Sequence, residues 1–184
     1  VSVLYHGSIQ GHVIEIREAG FNINECMVKA GIYSEAENKG GVGIWVEDST
    51  GTVQNSYSVE NQIHGMQIWG ASQVTLTENS FYNNEYSGVS ISGSSKVTAQ
   101  NNEFLYNEVD GVAVGEFANV ILENNIMNNN TEAGIAFFDQ SGGVVKNNTC
   151  VDNRLGIYIE ETANPLLENN NCYGNTSEDI LDKR

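Results

Sequence analysis

Three acids recur at near-equal intervals in the second half of the chain: Glu116, Asp139 and Glu161, 23 and 22 residues apart. Carboxylates held at a fixed short separation can do general acid and base work, and glycoside hydrolysis uses pairs ~5–5.5 Å or ~6.5–9.5 Å apart. The same oxygens could hold Ca²⁺. Aromatic residues recur with a similar step. Trp45 and Trp69, the only two tryptophans, are expected to share one outward column with Phe138 and Glu160, beside a column that holds Gln67 and Tyr158. Rings offer apolar faces to sugar CH surfaces, and neighbouring amides and carboxylates take hydroxyl hydrogen bonds. Glu85 and Glu108 occupy equivalent places one repeat apart and are a candidate Ca²⁺ pair, against the plainer reading of solvated turn acids. No other cofactor is expected.

These residues can meet only if the chain returns to the same place at each interval. Gly41, Gly65, Gly88, Gly111, Gly134 and Gly156 are spaced by 24, 23, 23, 23 and 22 residues. Asn55, Asn79, Asn102, Asn125, Asn148 and Asn170 step identically, as do the apolar residues Tyr57, Phe81, Phe104, Met127, Cys150 and Cys172. Asn84, Asn107, Asn130, Asn153 and Asn175 form a further column. A unit of ~23 residues is too short for helical repeats. After each glycine, pairs such as Val89 and Ile91 or Val112 and Val114 alternate with period two, the signature of a strand with one buried face. The pattern predicts an all-β parallel solenoid, single-stranded, of about seven coils with like residues stacked ~4.8 Å apart. A buried asparagine column then satisfies itself as a ladder, each amide donating to the next.

With 24 Asp plus Glu against 8 Lys plus Arg, the formal net charge is −16. That balance argues against a phosphate-backbone partner, which needs basic side chains, and against an anionic membrane surface. No apolar run approaches the ~18 residues of a membrane span. The chain reads as a single unit over 1–184: an irregular first coil with an insertion over 11–40, regular coils over 41–175, and a C-terminal end over 176–184. Its start, with Val1, Val3 and Leu4, suggests a piece of a longer protein whose upstream part covers the first edge, while "SEDILDKR" would blunt the other. His6, His12 and His64 share no column, so they are expected to be ordinary turn or surface residues. Cys150 and Cys172 fall in the buried column as small hydrophobes.

The stretches "GVSISGSSKVTAQNNEFLYN", "GVAVGEFANVILENNIMNNN" and "GIYIEETANPLLENNNCYGN" resemble the right-handed parallel β-helix repeats of the pectin-lyase-like superfamily, including NosD-like and carbohydrate-binding and sugar-hydrolysis domains. The resemblance implies a right-handed coil, a polysaccharide or protein partner, and an extracellular, periplasmic or cell-surface setting. It specifies fold far better than activity, because lyases, hydrolases, epimerases, adhesins and scaffolds share it. Lyases of this kind use a basic residue in the groove, and Arg154 is expected to lie away from the tryptophan face. The NTD, GHG, RIK and DPH signatures are absent. The reading that follows is a non-catalytic recognition module acting through the outward face of the first strand stack. A carbohydrate-active enzyme using Glu116, Asp139 and Glu161 is the alternative, and a structural spacer the third.

Overall fold

The computed structural model describes residues 11–184; Val1, Val3, Leu4 and His6 lie outside them. Among the described residues the chain winds through three parallel sheets of eight, seven and seven strands, with one short antiparallel pair beside them. Each coil contributes one strand to each sheet. Seven rungs are thus stacked through six turns. The first sheet runs from Ile14–Arg17 through Met66–Trp69 and Val112–Val114 to Glu178–Asp182.

Alternation builds the core. From Ile44 through Met66, Val89, Val112 and Ile135 to Ile157, inward residues of the first sheet stack in register, all at most 1% exposed. The second sheet supplies Val53, Leu76, Ala99, Leu122 and Val145. In the third, the Phe81 and Phe104 rings stack at 5.3 Å and 7°. Cys150 and Cys172 follow in that column. Their mutual hydrogen bond, with burial, pushes the Cys150 thiol up. Phe, Met and Ile side chains buried to this degree each contribute about 1.5–3 kcal/mol.

Two asparagine ladders close the corners. In one, the side-chain amides of Asn79, Asn102, Asn125 and Asn148 each donate to Oδ1 of the next member, ending at Asn170, at 2.9–3.0 Å. Each also donates to a main-chain carbonyl, as Asn102 does to Leu76, and each Oδ1 accepts a main-chain N–H as well, as that of Asn125 does from Asn102. Donors and acceptors are both used, so the amides can be buried at little cost. The second ladder runs Asn61, Asn84, Asn107, Asn130, Asn153, Asn175.

Asn55 is not a rung of the first ladder. It is exposed at φ 48°, in a left-handed column with Glu78, Asn101, Asn124, Asn147 and Asn169. Ser56 takes the ladder place, its N–H donating to Asn79 at 3.0 Å. Tyr57 likewise points outward, 46% exposed, and Ser58 pairs with Phe81. The glycines are offset as well, by two residues. Gly43, not Gly41, is the partner of Gly65: a Cβ on Gly43 would stand 2.6 Å from the Gly65 carbonyl oxygen, as one on Gly111 would stand 2.5 Å from that of Gly134. This close approach is what the repeating glycine permits.

The first coil over 11–40 is a regular rung displaced by 30 residues from the next, Ile14 pairing with Ile44 and Ile23 with Val53. Its extra residues form the Tyr33–Ser34 and Lys39–Gly40 hairpin. Beyond 175 the coil also continues. Glu178–Asp182 adds an eighth strand to the first sheet, with Leu181 opposite Tyr158.

Candidate functional site

The register decides which outward residues can cooperate. Trp45 pairs with Gln67, and Glu47 with Trp69. The two tryptophans therefore stand in neighbouring columns and do not stack as the glycine spacing suggested. Trp45 is half-buried against the His12 ring, centroids 4.6 Å apart, and its indole Nε1 is buried without a hydrogen-bond partner. Burial lowers the His12 pKa. Trp69 is 40% exposed. Gln67 belongs to the column that continues through Ser90, Ala113 and Ala136 to Tyr158.

The carboxylate column proves to be a chain of turn caps. Glu116 accepts the Gly93 N–H at 2.9 Å, Asp139 that of Glu116 at 2.9 Å, and Glu160 that of Asp139 at 2.7 Å. By strand register Glu161 does follow Asp139 in the column, two places past the Phe137–Ile159 pair, but the carboxylate that caps Asp139 comes from its neighbour Glu160. Glu116 and Asp139 themselves hold φ 54° and 55°, a conformation these carboxylate hydrogen bonds help to hold. Glu85 and Glu108 are exposed on successive turns, their N–H groups bonded to the Asn61 and Asn84 carbonyls. No group of three or more His, Cys, Asp or Glu that could hold a metal is gathered among the described residues.

What the fold does bring together lies nearer the C-terminal end of the first sheet. A cavity of about 390 Å³ is lined by Asp110, Glu132, Phe138, Arg154, Tyr158 and Lys183, among others. An adjoining one of about 400 Å³ is lined by Asp139, Tyr158, Glu160, Glu161, Thr162 and Lys183. Tyr158 and Lys183 belong to both, with the Lys183 ammonium 5.2 Å from the Tyr158 ring centroid. Phe138 packs beside Tyr158 at 5.6 Å and 50°. Five of the candidate residues, Phe138, Asp139, Tyr158, Glu160 and Glu161, thus line one double cleft. Glu116 adjoins it one rung away; Trp45, Trp69, Gln67, Glu85 and Glu108 do not line it.

Arg154 is expected away from the tryptophan face, and it is not beside either tryptophan. It stands far along the rod from Trp45, where it lines this cavity and holds Glu132 at 2.6 Å. Both partners are nearly half exposed, so the pair contributes at most about 1 kcal/mol to stability and is free to exchange for a ligand.

Asp110 is the group the sequence did not single out. It precedes Gly111 at the corner between the third and first sheets, and is 6% exposed. Its Oδ1 accepts the Ala133 N–H at 2.9 Å. Burial pushes its carboxyl up to about 6, with Ala133 and Arg154 opposing the shift and Glu132 adding to it. Two rungs earlier, His64 holds the same corner place: its Nδ1 accepts the Ser87 N–H at 3.2 Å, and burial takes its pKa down to about 4. The corner column of His64, Ser87, Asp110, Ala133 and Leu155 has no shared residue type. Its one sequence signal is a polar residue directly before a buried repeat glycine.

The pattern of right handed beta helix regions matches residues 12–176. The chain belongs to that family, which fixes the hand of the coil. Comparison with curated protein sequences finds no match. Among solved structures, the periplasmic alginate epimerase AlgG is similar with a TM-score of 0.69 at 16% identity, over 87% of this chain and 43% of that one. The mannuronan C-5 epimerase AlgE4 A-module of Azotobacter vinelandii gives 0.60 at 14%, over 90% and 60%. PfbA, a surface adhesin of Streptococcus pneumoniae, gives 0.59 at 15%, over 93% and 59%. At such identities the likeness is one of fold. This chain spans under half of AlgG and about three fifths of the other two. Among the described residues no helix is long and apolar enough to cross a membrane.

Proposed function

We propose that the chain is a glycan-recognition module whose binding site is the double cleft around Tyr158. The observation that carries this reading is the convergence of two aromatic rings, Phe138 and Tyr158, with Arg154, Lys183 and several carboxylates in open cavities of ligand size. Sugars are bound by rings that cover their CH faces and by charged or amide groups that fix their hydroxyls. Trp69 lies in the Phe138 column three rungs away, roughly 14 Å at the inter-strand spacing, and with Gln67 would extend the track along the rod. The similar structures, two of them polysaccharide epimerases by name and one a surface adhesin, support a carbohydrate or surface role in a periplasmic or surface setting.

Calorimetric titration with neutral and acidic oligosaccharides tests the proposal. Saturable binding that is lost at least tenfold in Tyr158→Ala with Phe138→Ala is expected. Binding that persists in that variant, or none to any sugar, removes the glycan reading and leaves a protein partner or a spacer.

One arrangement favours catalysis as the second reading: Asp139, Glu160 and Glu161 line the half of the cleft beyond Lys183. An enzyme would release new reducing ends from a bound polysaccharide and lose that turnover, with binding retained, in Asp139→Asn.

A further inference from the structure

Arg154 and Lys183 are two of only eight basic residues in a chain of net charge −16, and both line the cavity that holds Asp110. Around Asp110 the ionisable groups are Glu132 and Arg154 on the following rungs, Lys183 and Tyr158 across the cavity, and Tyr86 and Glu108 at the adjoining turns. Ser87 and Ala133, its neighbours in the corner column, carry no charge. Asp110 is nearly out of contact with water and has one oxygen bound to the Ala133 N–H. A carboxylate so placed gains little from solvent, and it opposes any second anion brought into the cavity.

We propose that Asp110 acts in the cavity as a neutral acid that donates a hydrogen bond to the carboxylate of an acidic sugar, so that the site takes its ligand in mildly acidic surroundings and releases it as the pH rises. This rests on the glycan reading above and deepens it. With Asp110 neutral, the cavity presents two cations, Arg154 and Lys183, against the single Glu132. With Asp110 ionised the charges cancel and the donor is lost. Burial, which raises the carboxyl to about 6, places the change near that pH. A hydrogen bond from a carboxylic acid to a carboxylate is charge-assisted and short, which suits a site that must hold one oxygen of a flexible chain. No covalent step is involved: the proton stays on Asp110 while the ligand is bound and leaves to solvent with ligand release.

The test is titration of the intact chain with an oligouronate and with the same oligosaccharide reduced at its carboxyls, from about pH 7.5 to pH 5. If only the protonated form binds, oligouronate affinity should rise about thirtyfold over that range, following the fraction of neutral Asp110. Asp110→Asn retains a donor and the acceptor for Ala133, so it should bind the oligouronate with little pH dependence. Circular dichroism of that variant checks that the coil is intact. The reduced sugar should bind weakly at every pH. An Asp110→Asn variant that keeps the full pH slope overturns the inference, as does a wild-type affinity that does not change with pH, and in either case glycan recognition stands. Stronger binding of the reduced sugar also overturns it. Absence of binding to both sugars at every pH overturns this and the glycan reading together.

Discussion

His64 and Asp110 occupy the same corner of the coil two rungs apart and do the same local job, yet burial moves them in opposite directions. Each accepts a main-chain N–H from the next rung, from Ser87 and Ala133 respectively. Each is largely withdrawn from water. The imidazole is driven down to about 4 and the carboxyl up to about 6, because burial disfavours whichever form is charged. The surroundings then separate them. His64 faces Tyr86, edge to face at 5.7 Å, beside the Tyr33–Ser34 hairpin, whereas Asp110 faces the charged half of the cleft. One fold position can therefore carry an imidazole held neutral against an aromatic ring or a carboxyl held neutral beside a charged cleft, and the surroundings of the column decide what it can do.

The largest expected effect comes from breaking what the two corners share. The second ladder passes between them at Asn107, whose Nδ2 donates to Asn130 and whose Oδ1 accepts from Asn84. Asn107→Ala strands buried groups on both sides and should cost about 2–5 kcal/mol in denaturant unfolding. A loss below 1 kcal/mol would mean that water or a repacked turn replaces the amide.

The next effect separates the corners by pH. For His64 the folded pKa, about 4, lies below the reference 6.5. The unfolded chain therefore binds the extra proton between these values, and stability falls as pH drops through them. For Asp110 the folded pKa, about 6, lies above the reference 3.8, so stability falls as pH rises from 3.8 to 6. Between about pH 4 and pH 6 the two slopes oppose and nearly cancel. Asp110→Asn should unmask the His64 slope and raise stability above pH 6 by about 2–3 kcal/mol at most. His64→Asn should unmask the opposite slope, a protein that gains stability towards pH 4. Parallel pH profiles in the two variants would show that neither corner titrates as its burial implies. The smallest effect concerns Glu132→Gln, which should change stability by under about 1 kcal/mol while freeing Arg154 and altering ligand affinity.

The coil was legible in the sequence because one period runs through several columns whose chemistry the fold requires: glycine where carbonyls approach closely, asparagine where amides stack. Cleft residues obey no such rule. The Trp45 and Trp69 column was misread because a slip of two residues keeps every side chain on its proper face and changes only its neighbour, so alternation cannot detect it. The slip of one at Asn55 and Tyr57 did change the face, and Ser56 and Ser58 were the visible small polar residues beside them. Asp110 was overlooked because its column runs His, Ser, Asp, Ala, Leu, without repetition. Arg154 and Lys183 reach the cleft only through the last strand and the shortened final coil, which no period announces.

The ladders also give the rod a direction. The amide-to-amide relay always runs towards the later coil, while the second N–H turns back to an earlier carbonyl. The side-chain ladder thus resembles a one-dimensional crystal with a polar axis, whose unit cells bond chiefly to the cells before and after. Such a lattice has no interior large enough to dilute a defect. A vacancy at Asn107 would act as a grain boundary, and hydrogen exchange should then resolve two blocks that melt separately where the intact rod melts as one.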